Sequence, residues 1–208
     1  MKKINYYLLL FFVGFSAFAQ DAMNASEIAE FKKGVNAASA KIKTMTTDFV
    51  QYKHMDFLSK DLETSGKMAF KEPNSLAWQY KKPYNYSIVF KSGKIYINDE
   101  GKKSQMDAKS NKTFSKINKL IVGSVSGQMF DDKEFVISYF NSKDFNIARF
   151  VPKDAAMKKY IKQVELSFDK KEGTVEQVRL LESEKDYTKI VFKNKILNAK
   201  VDDSAFNN

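Results

Sequence analysis

Between Gly66 and Asn98 the chain is cut by three short clusters, "EPN" at 72–74, "KKPYN" at 81–85 and "SG" at 92–93. Each supplies a Pro, Asn or Gly, the residues that take turn backbone angles at least cost. The stretches between them are short and rich in β-branched and aromatic residues, which predicts four strands: Gly66 to Lys71, Ser75 to Tyr80, Tyr86 to Lys91 and Lys94 to Asn98. Parallel neighbours need a crossover of about a dozen residues or more. No link here approaches that length, so the four strands are predicted to be antiparallel neighbours.

The rest of the chain extends this unit. Upstream, Asn24 and Glu27 have capping-box spacing, and Ile28, Phe31, Val35, Ala38 and Ile42 recur at intervals that predict one amphipathic helix of about twenty residues. From Thr46, "TTDFVQYKHMDF" changes to a strand composition, with Lys60 to Ser65 as a polar break. Beyond Asn98, "NDEGKKSQMDAKSNK" reads as a turn and a loop. In "FSKINKLIVGSVSGQMF", Ile117, Leu120, Ile121 and Val125 match helical spacing, predicting a second, short helix interrupted by Gly123. Strands are expected again at "EFVISYF", "FNIARFV", "KQVELSF", "VEQVRLLES" and "KIVFKNKIL", with a short last one near Lys200. There is no βαβ alternation, no repeat of constant period and no low-complexity linker. The expected fold class is α+β, one antiparallel sheet of about ten strands, which tends to curl, with the helices packed on its concave face.

The first nineteen residues stand apart. Lys2 and Lys3, the apolar run from Tyr6 to Phe15 and the small-x-small ending Ala17-Phe18-Ala19 have the layout of an export signal, with cleavage expected before Gln20. The run is far short of the roughly twenty residues that span a bilayer. A single domain over 20–208 is therefore expected, in an exported protein that holds by packing, since the chain has no cysteine.

Chemistry is sparse. The only histidine is His54 and there is no G-x-S-x-G, so a histidine-based triad has no support. One histidine and no thiolate leave no zinc site, and phosphate-loop patterns are absent. Asp131, Asp132 and Glu134 cluster at the head of a strand, where acids serve as turn residues. No catalytic residue, metal or cofactor is expected, and the chain is not expected to be an enzyme. The net charge of +10 suits an anionic surface or a solvated lysine-rich face. Lys91, Lys94 and Tyr96 read as a half-exposed strand rather than a nucleic-acid surface.

What remains is an excess of large apolar side chains, including 18 Phe and 8 Met. Phe and Met make adaptable walls for an alkyl chain. Strand alternation puts Met68 with Phe70 on one face, and likewise Leu76, Trp78 and Tyr80, then Ile88 with Phe90 and Ile95 with Ile97. In the later strands it groups Val164, Leu166 and Phe168, and Ile190 with Phe192. Taking the more apolar set as the inner one makes these the candidate wall of a lipid cavity. Ile117, Leu120, Ile121 and Val125 would cap it, with Phe31 and Val35 packed beneath.

Several stretches in their order resemble the LolA family of periplasmic lipoprotein carriers. "TTDFVQ", with Asp48, Phe49 and Gln51, is similar to that family's strand start after its first helix. "SGKMAFKEPNSLAWQYKKP" matches at Gly66, Lys67, Pro73, Leu76, Trp78, Tyr80 and Pro83, and "SIVFKSGKIYIND" matches the next strand pair. Pro152, Lys153 and the terminal "DDSAF" fit later positions. The resemblance implies an incomplete, unclosed barrel of about eleven antiparallel strands with helices as a lid. It further implies a monomer in the periplasm of a Gram-negative bacterium, taking acylated lipoproteins from an inner-membrane transporter to an outer-membrane acceptor, with no nucleic-acid partner. One departure stands out. Where the best-studied branch has an Arg that ties the closed lid, this chain has Glu72, which cannot supply guanidinium donors. A carrier of another acylated small molecule or lipid is the alternative reading.

Overall fold

The computed structural model describes residues 20–108, 123, 129–130 and 133–207. The expected leader at 1–19, the mid-chain helix with Ile117, Leu120, Ile121 and Val125, and the acids Asp131 and Asp132 all lie outside the described residues.

A short strand β1 (Asp21–Ala22) leads into helix α1 (Ala25–Ser39). The predicted capping box forms: Asn24 Oδ1 accepts the N–H groups of Ser26 and Glu27, each at 3.0 Å, while Glu27 Oε2 accepts the Asn24 N–H at 2.8 Å. The helix is shorter than expected. Ala40 ends it with a tight turn, and Ile42 is buried just beyond the helix.

Two runs of strands follow. The first is β2 (Thr44–His54), β3 (Leu62–Lys71), β4 (Ser75–Lys82), β5 (Tyr86–Lys91), β6 (Lys94–Asp99) and β7 (Lys102–Asp107). The second is β8 (Phe135–Asn141), β9 (Phe145–Pro152), a single helical turn α2 (Ala155–Lys158), β10 (Gln163–Asp169), β11 (Val175–Leu181) and β12 (Tyr187–Leu197). Together with β1 they form one open sheet in the order β1-β8-β9-β10-β11-β12-β2-β3-β4-β5-β6-β7, antiparallel throughout among the described residues. The two runs are joined by β12 lying against β2, with Phe192 opposite Phe49. Both proline turns, after Glu72 and after Lys82, carry a cis X-Pro bond.

Two differences from the sequence reading have a common cause. β3 starts at Leu62, inside the expected polar break, because Leu62 and Glu63 pair with Lys53 and Tyr52 of β2. β7 forms from "KKSQMD", read as loop, and all six of its residues are exposed. Its order comes from backbone pairing with β6, from Lys94 opposite Asp107 to Asp99 opposite Lys102. Backbone pairing needs no apolar side chain, so neither segment advertises itself by composition. The strand expected near Lys200 is absent; instead Asp202 caps a 3-10 turn (Asp203–Phe206).

The sheet's two faces are sharply different. On the inner face one hydrophobic cluster runs across strands of both runs and takes in Phe31 and Val35 from α1. On the outer face a small cluster forms where Phe206, 3% exposed, covers Ala77 of β4 and Val89 of β5. A salt bridge from Lys71 to Asp203, at 2.6 Å, fixes the same tail.

Candidate functional site

Every residue proposed for the cavity wall lies on the inner face. Met68, Phe70, Leu76 and Trp78 are buried there, as are Phe90 and Ile95. Val164, Leu166 and Phe168 of β10, with Ile190 and Phe192 of β12, join the same cluster, and Tyr80, Ile88 and Ile97 pack against it half-buried. β12 links the two groups, because Ile190 and Phe192 stand between the β10–β11 side and β2.

The structure adds residues that the sequence reading did not assign to this face. Phe49 of β2 is 1% exposed, with its ring edge-on to Trp78 at 4.9 Å and to Tyr80 at 5.0 Å. A second aromatic group lies beneath α1. Phe31 meets Phe168 at 5.1 Å, Phe130 at 5.7 Å and Tyr139 at 6.0 Å, all edge-on. The alternation of Met45, Thr47 and Phe49 along β2 is a signal that would have found Phe49. Beside α1 runs a groove of about 850 Å³, floored by Phe31, Val35 and Ile42 and edged by Glu30, Lys41 and the β10–β11 turn.

The inner face turns polar at one end. Along β2 the inward sequence runs Phe49, Gln51, Lys53. Tyr80 donates its hydroxyl to Gln51 Oε1 at 3.1 Å. Burial, with Tyr84 and Tyr86 adding to it, pushes the Tyr80 phenol up to about 12, so it remains a donor at neutral pH. Thr64, paired with Gln51 across β2 and β3, is 9% exposed. Further out, Lys53 pairs with Glu182, whose other oxygen accepts the Thr188 hydroxyl at 2.8 Å.

Motif residues outside the cluster have structural tasks. An added Cβ on Gly66 would stand 2.0 Å from the Gln79 carbonyl oxygen and 2.9 Å from Phe49 Cζ, so only glycine lets that ring cross β3. Asp48 bonds Asn194 at 2.9 Å and Lys67 at 2.7 Å, which together hold its carboxyl below the ordinary range. Glu72 sits on the β3–β4 turn, at the opposite end from Gln51 and Thr64. Its carboxylate is 2.8 Å from Lys43 Nζ in the link between α1 and β2, and both side chains are largely exposed. His54 bonds Asp61 at 2.8 Å and stacks on Tyr187, anchoring the β2–β3 hairpin. Among the described residues no group of three or more His, Asp or Glu is placed to hold a metal.

An open antiparallel sheet with a continuous apolar inner face, a covering helix and a polar end defines the class of incomplete, unclosed β-barrels. The particular family is given by sequence. The family model described as outer membrane lipoprotein carrier protein LolA matches residues 40–208, and the chain belongs to that family. Comparison with curated proteins gives no match. Among solved structures, a DUF1329 family protein from Desulfovibrio piger is 14% identical, with 86% of this chain and 97% of that one covered and a TM-score of 0.50. The MucA/MucB complex of Pseudomonas aeruginosa is 11% identical with a TM-score of 0.52, covering 85% of this chain but only 59% of that one. A LolA superfamily protein from Nitrosomonas europaea is 8% identical, with 86% and 97% covered and a TM-score of 0.46. At these identities the first two likenesses are of fold alone.

Proposed function

We propose that the protein carries acylated lipoproteins across the periplasm, shielding their acyl chains on the inner face between an inner-membrane transporter and an outer-membrane acceptor. The observation that carries this reading is the single apolar cluster spanning both strand runs beneath α1. Family membership over 40–208 supports the choice of cargo, and the export-type leader at 1–19 supports the compartment. Burial of alkyl chain is worth roughly 0.8 kcal/mol per methylene, so a chain of fifteen methylenes gains up to about 12 kcal/mol. Cargo held that firmly leaves only for an acceptor with greater affinity, which makes handover a transfer down a gradient of binding energy with no bond made or broken. The protein therefore works as a carrier and not as an enzyme.

Native mass spectrometry of protein purified from its own cell envelope, with extraction and analysis of bound lipid, tests this. A soluble complex with a lipoprotein is expected. Failure to find any lipid, together with no complex after incubation with membrane-released lipoproteins, would sink the carrier reading. The alternative cargo, another acylated small molecule, is favoured by Glu72, which is engaged with Lys43 and offers no cationic latch at that turn. Its mark in the same experiment is a bound lipid without a peptide.

A further inference from the structure

We propose that Gln51 and Thr64 form a carbonyl-reading collar on the inner face, which binds the ester carbonyl of an acyl chain and so selects acylated cargo over plain hydrocarbon. The proposal rests on the carrier reading and adds to it where on the face the head of the chain is held and what recognises it.

The starting point is an exception. Thr47, Thr174 and Thr188, the other buried threonines among the described residues, all have partners. Thr47 donates to the Lys193 carbonyl at 2.8 Å, Thr188 donates to Glu182 at 2.8 Å, and Thr174 accepts from Lys195 at 2.7 Å. Thr64 is buried too, at 9% exposed, and its Oγ1 has no hydrogen-bond partner among the described residues. Burying a hydroxyl without a partner is unfavourable, and valine would fill the same space without that cost. A ligand that accepts a hydrogen bond accounts for the threonine.

Its neighbours fit such a ligand. Gln51 stands directly opposite Thr64 in the β2–β3 register, which places the two Cβ atoms about 5 Å apart. Tyr80 gives its proton to Gln51 Oε1, and this fixes the amide with its oxygen occupied and its Nε2 as the donor left over. The collar therefore offers two donors to a carbonyl, the Thr64 hydroxyl and the Gln51 amide N–H. One step inward lie Phe49, Met68 and Trp78, all buried and apolar. One step outward lie Lys53, Glu182 and Thr188. Apolar floor, paired donors and charged mouth follow in the order in which an acyl ester presents hydrocarbon, carbonyl and polar head. The register also gives a use to the motif residue Gln51, which apolar packing does not explain.

The test compares dilauroylglycerol with the diether of the same chain length, didodecylglycerol, each delivered on cyclodextrin. Affinities are read by titration calorimetry for the wild type, Thr64→Val and Thr64→Ser. The wild type is expected to prefer the ester by about three- to tenfold, the worth of a neutral hydrogen bond. Thr64→Val should bind the ether as the wild type does and lose the preference, with the Tm of the empty protein unchanged or raised. Thr64→Ser should keep the preference. A wild type that does not distinguish the two lipids, or a Thr64→Val variant that still does, overturns the collar and leaves the carrier reading standing. Binding of neither lipid to the wild type overturns the carrier reading, and the collar with it.

Discussion

Replacing Gly66 and Gly34 by alanine should change stability in opposite directions, and the structure gives the size of each effect. At Gly66 the new Cβ would lie 2.0 Å from the Gln79 carbonyl oxygen, 2.8 Å from its carbon and 2.9 Å from Phe49 Cζ. Relief requires a shift of more than an ångström, and two of the three obstacles are backbone of the adjacent strand. The third is a ring that is 1% exposed and wedged against Trp78 and Tyr80. Overpacking of this kind costs about 1–3 kcal/mol, and a ladder hydrogen bond lost as β4 gives way adds about 1 kcal/mol. The expected total is about 2–4 kcal/mol of destabilisation. At Gly34, inside α1, nothing lies within 4 Å of an added Cβ. There alanine should stabilise by about 0.5–1 kcal/mol, because glycine loses more backbone freedom in a helix. Urea unfolding followed by Trp78 emission measures both, since the indole lies 4.9 Å from the Phe49 ring. A Gly66→Ala cost below about 1 kcal/mol would refute the packing described for β2, β3 and β4, and a destabilising Gly34→Ala would refute the open space beside α1.

Phe206→Ala should cost about 2–4 kcal/mol and expose the tail to limited proteolysis, because the ring is the cover over Ala77 and Val89; lipid affinity should not change, as that cluster is on the outer face. Glu72→Ala should alter stability by less than about 1 kcal/mol in the same urea assay, since its pair with Lys43 is exposed on both sides. The Asp169 carboxyl is held below its ordinary value by the backbone N–H of Glu172 and then that of Lys171. Its folded pKa is thus below the unfolded one of about 3.9, and the stability it contributes is complete above that value and lost as pH falls through the folded pKa. Asp169→Asn keeps the accepting oxygen and removes the charge, so a urea series against pH should show a flatter acid limb below about pH 4.

How far the sequence reaches can be read strand by strand. β5 has the expected bounds because turn residues flank it on both sides, and β4 and β6 start where expected and run slightly past their predicted ends. Leu62 and Glu63 at the head of β3 and all of β7 escape composition because their side chains are exposed and only the backbone holds them. Alternation groups Leu76, Trp78 and Tyr80 correctly but cannot show that Ala77, between them, is also fully buried on the other face. That burial depends on Phe206, more than a hundred positions away in sequence. Thr64 is the plainest case of a residue invisible to pattern. It falls in a stretch that reads as a polar break, and only the register that sets it opposite Gln51 gives it a place on the inner face.

The same register makes Trp78 a reporter with a known position. Tyr80 and Trp78 are two residues apart on one face of β4, so the indole lies roughly 7 Å below the phenol along the strand, toward Leu76. A chain whose carbonyl is held by Thr64 and Gln51 therefore passes Trp78 with its first methylenes, and its emission should shift whenever the face is occupied. Occupancy and recognition are then separate observables. A ligand that shifts the Trp78 emission while ester and ether bind alike lies on the apolar floor with its carbonyl elsewhere. One that shifts the emission and also depends on the Thr64 hydroxyl has its head at the collar and its tail toward the β3–β4 turn, at the end where Glu72 and Lys43 meet.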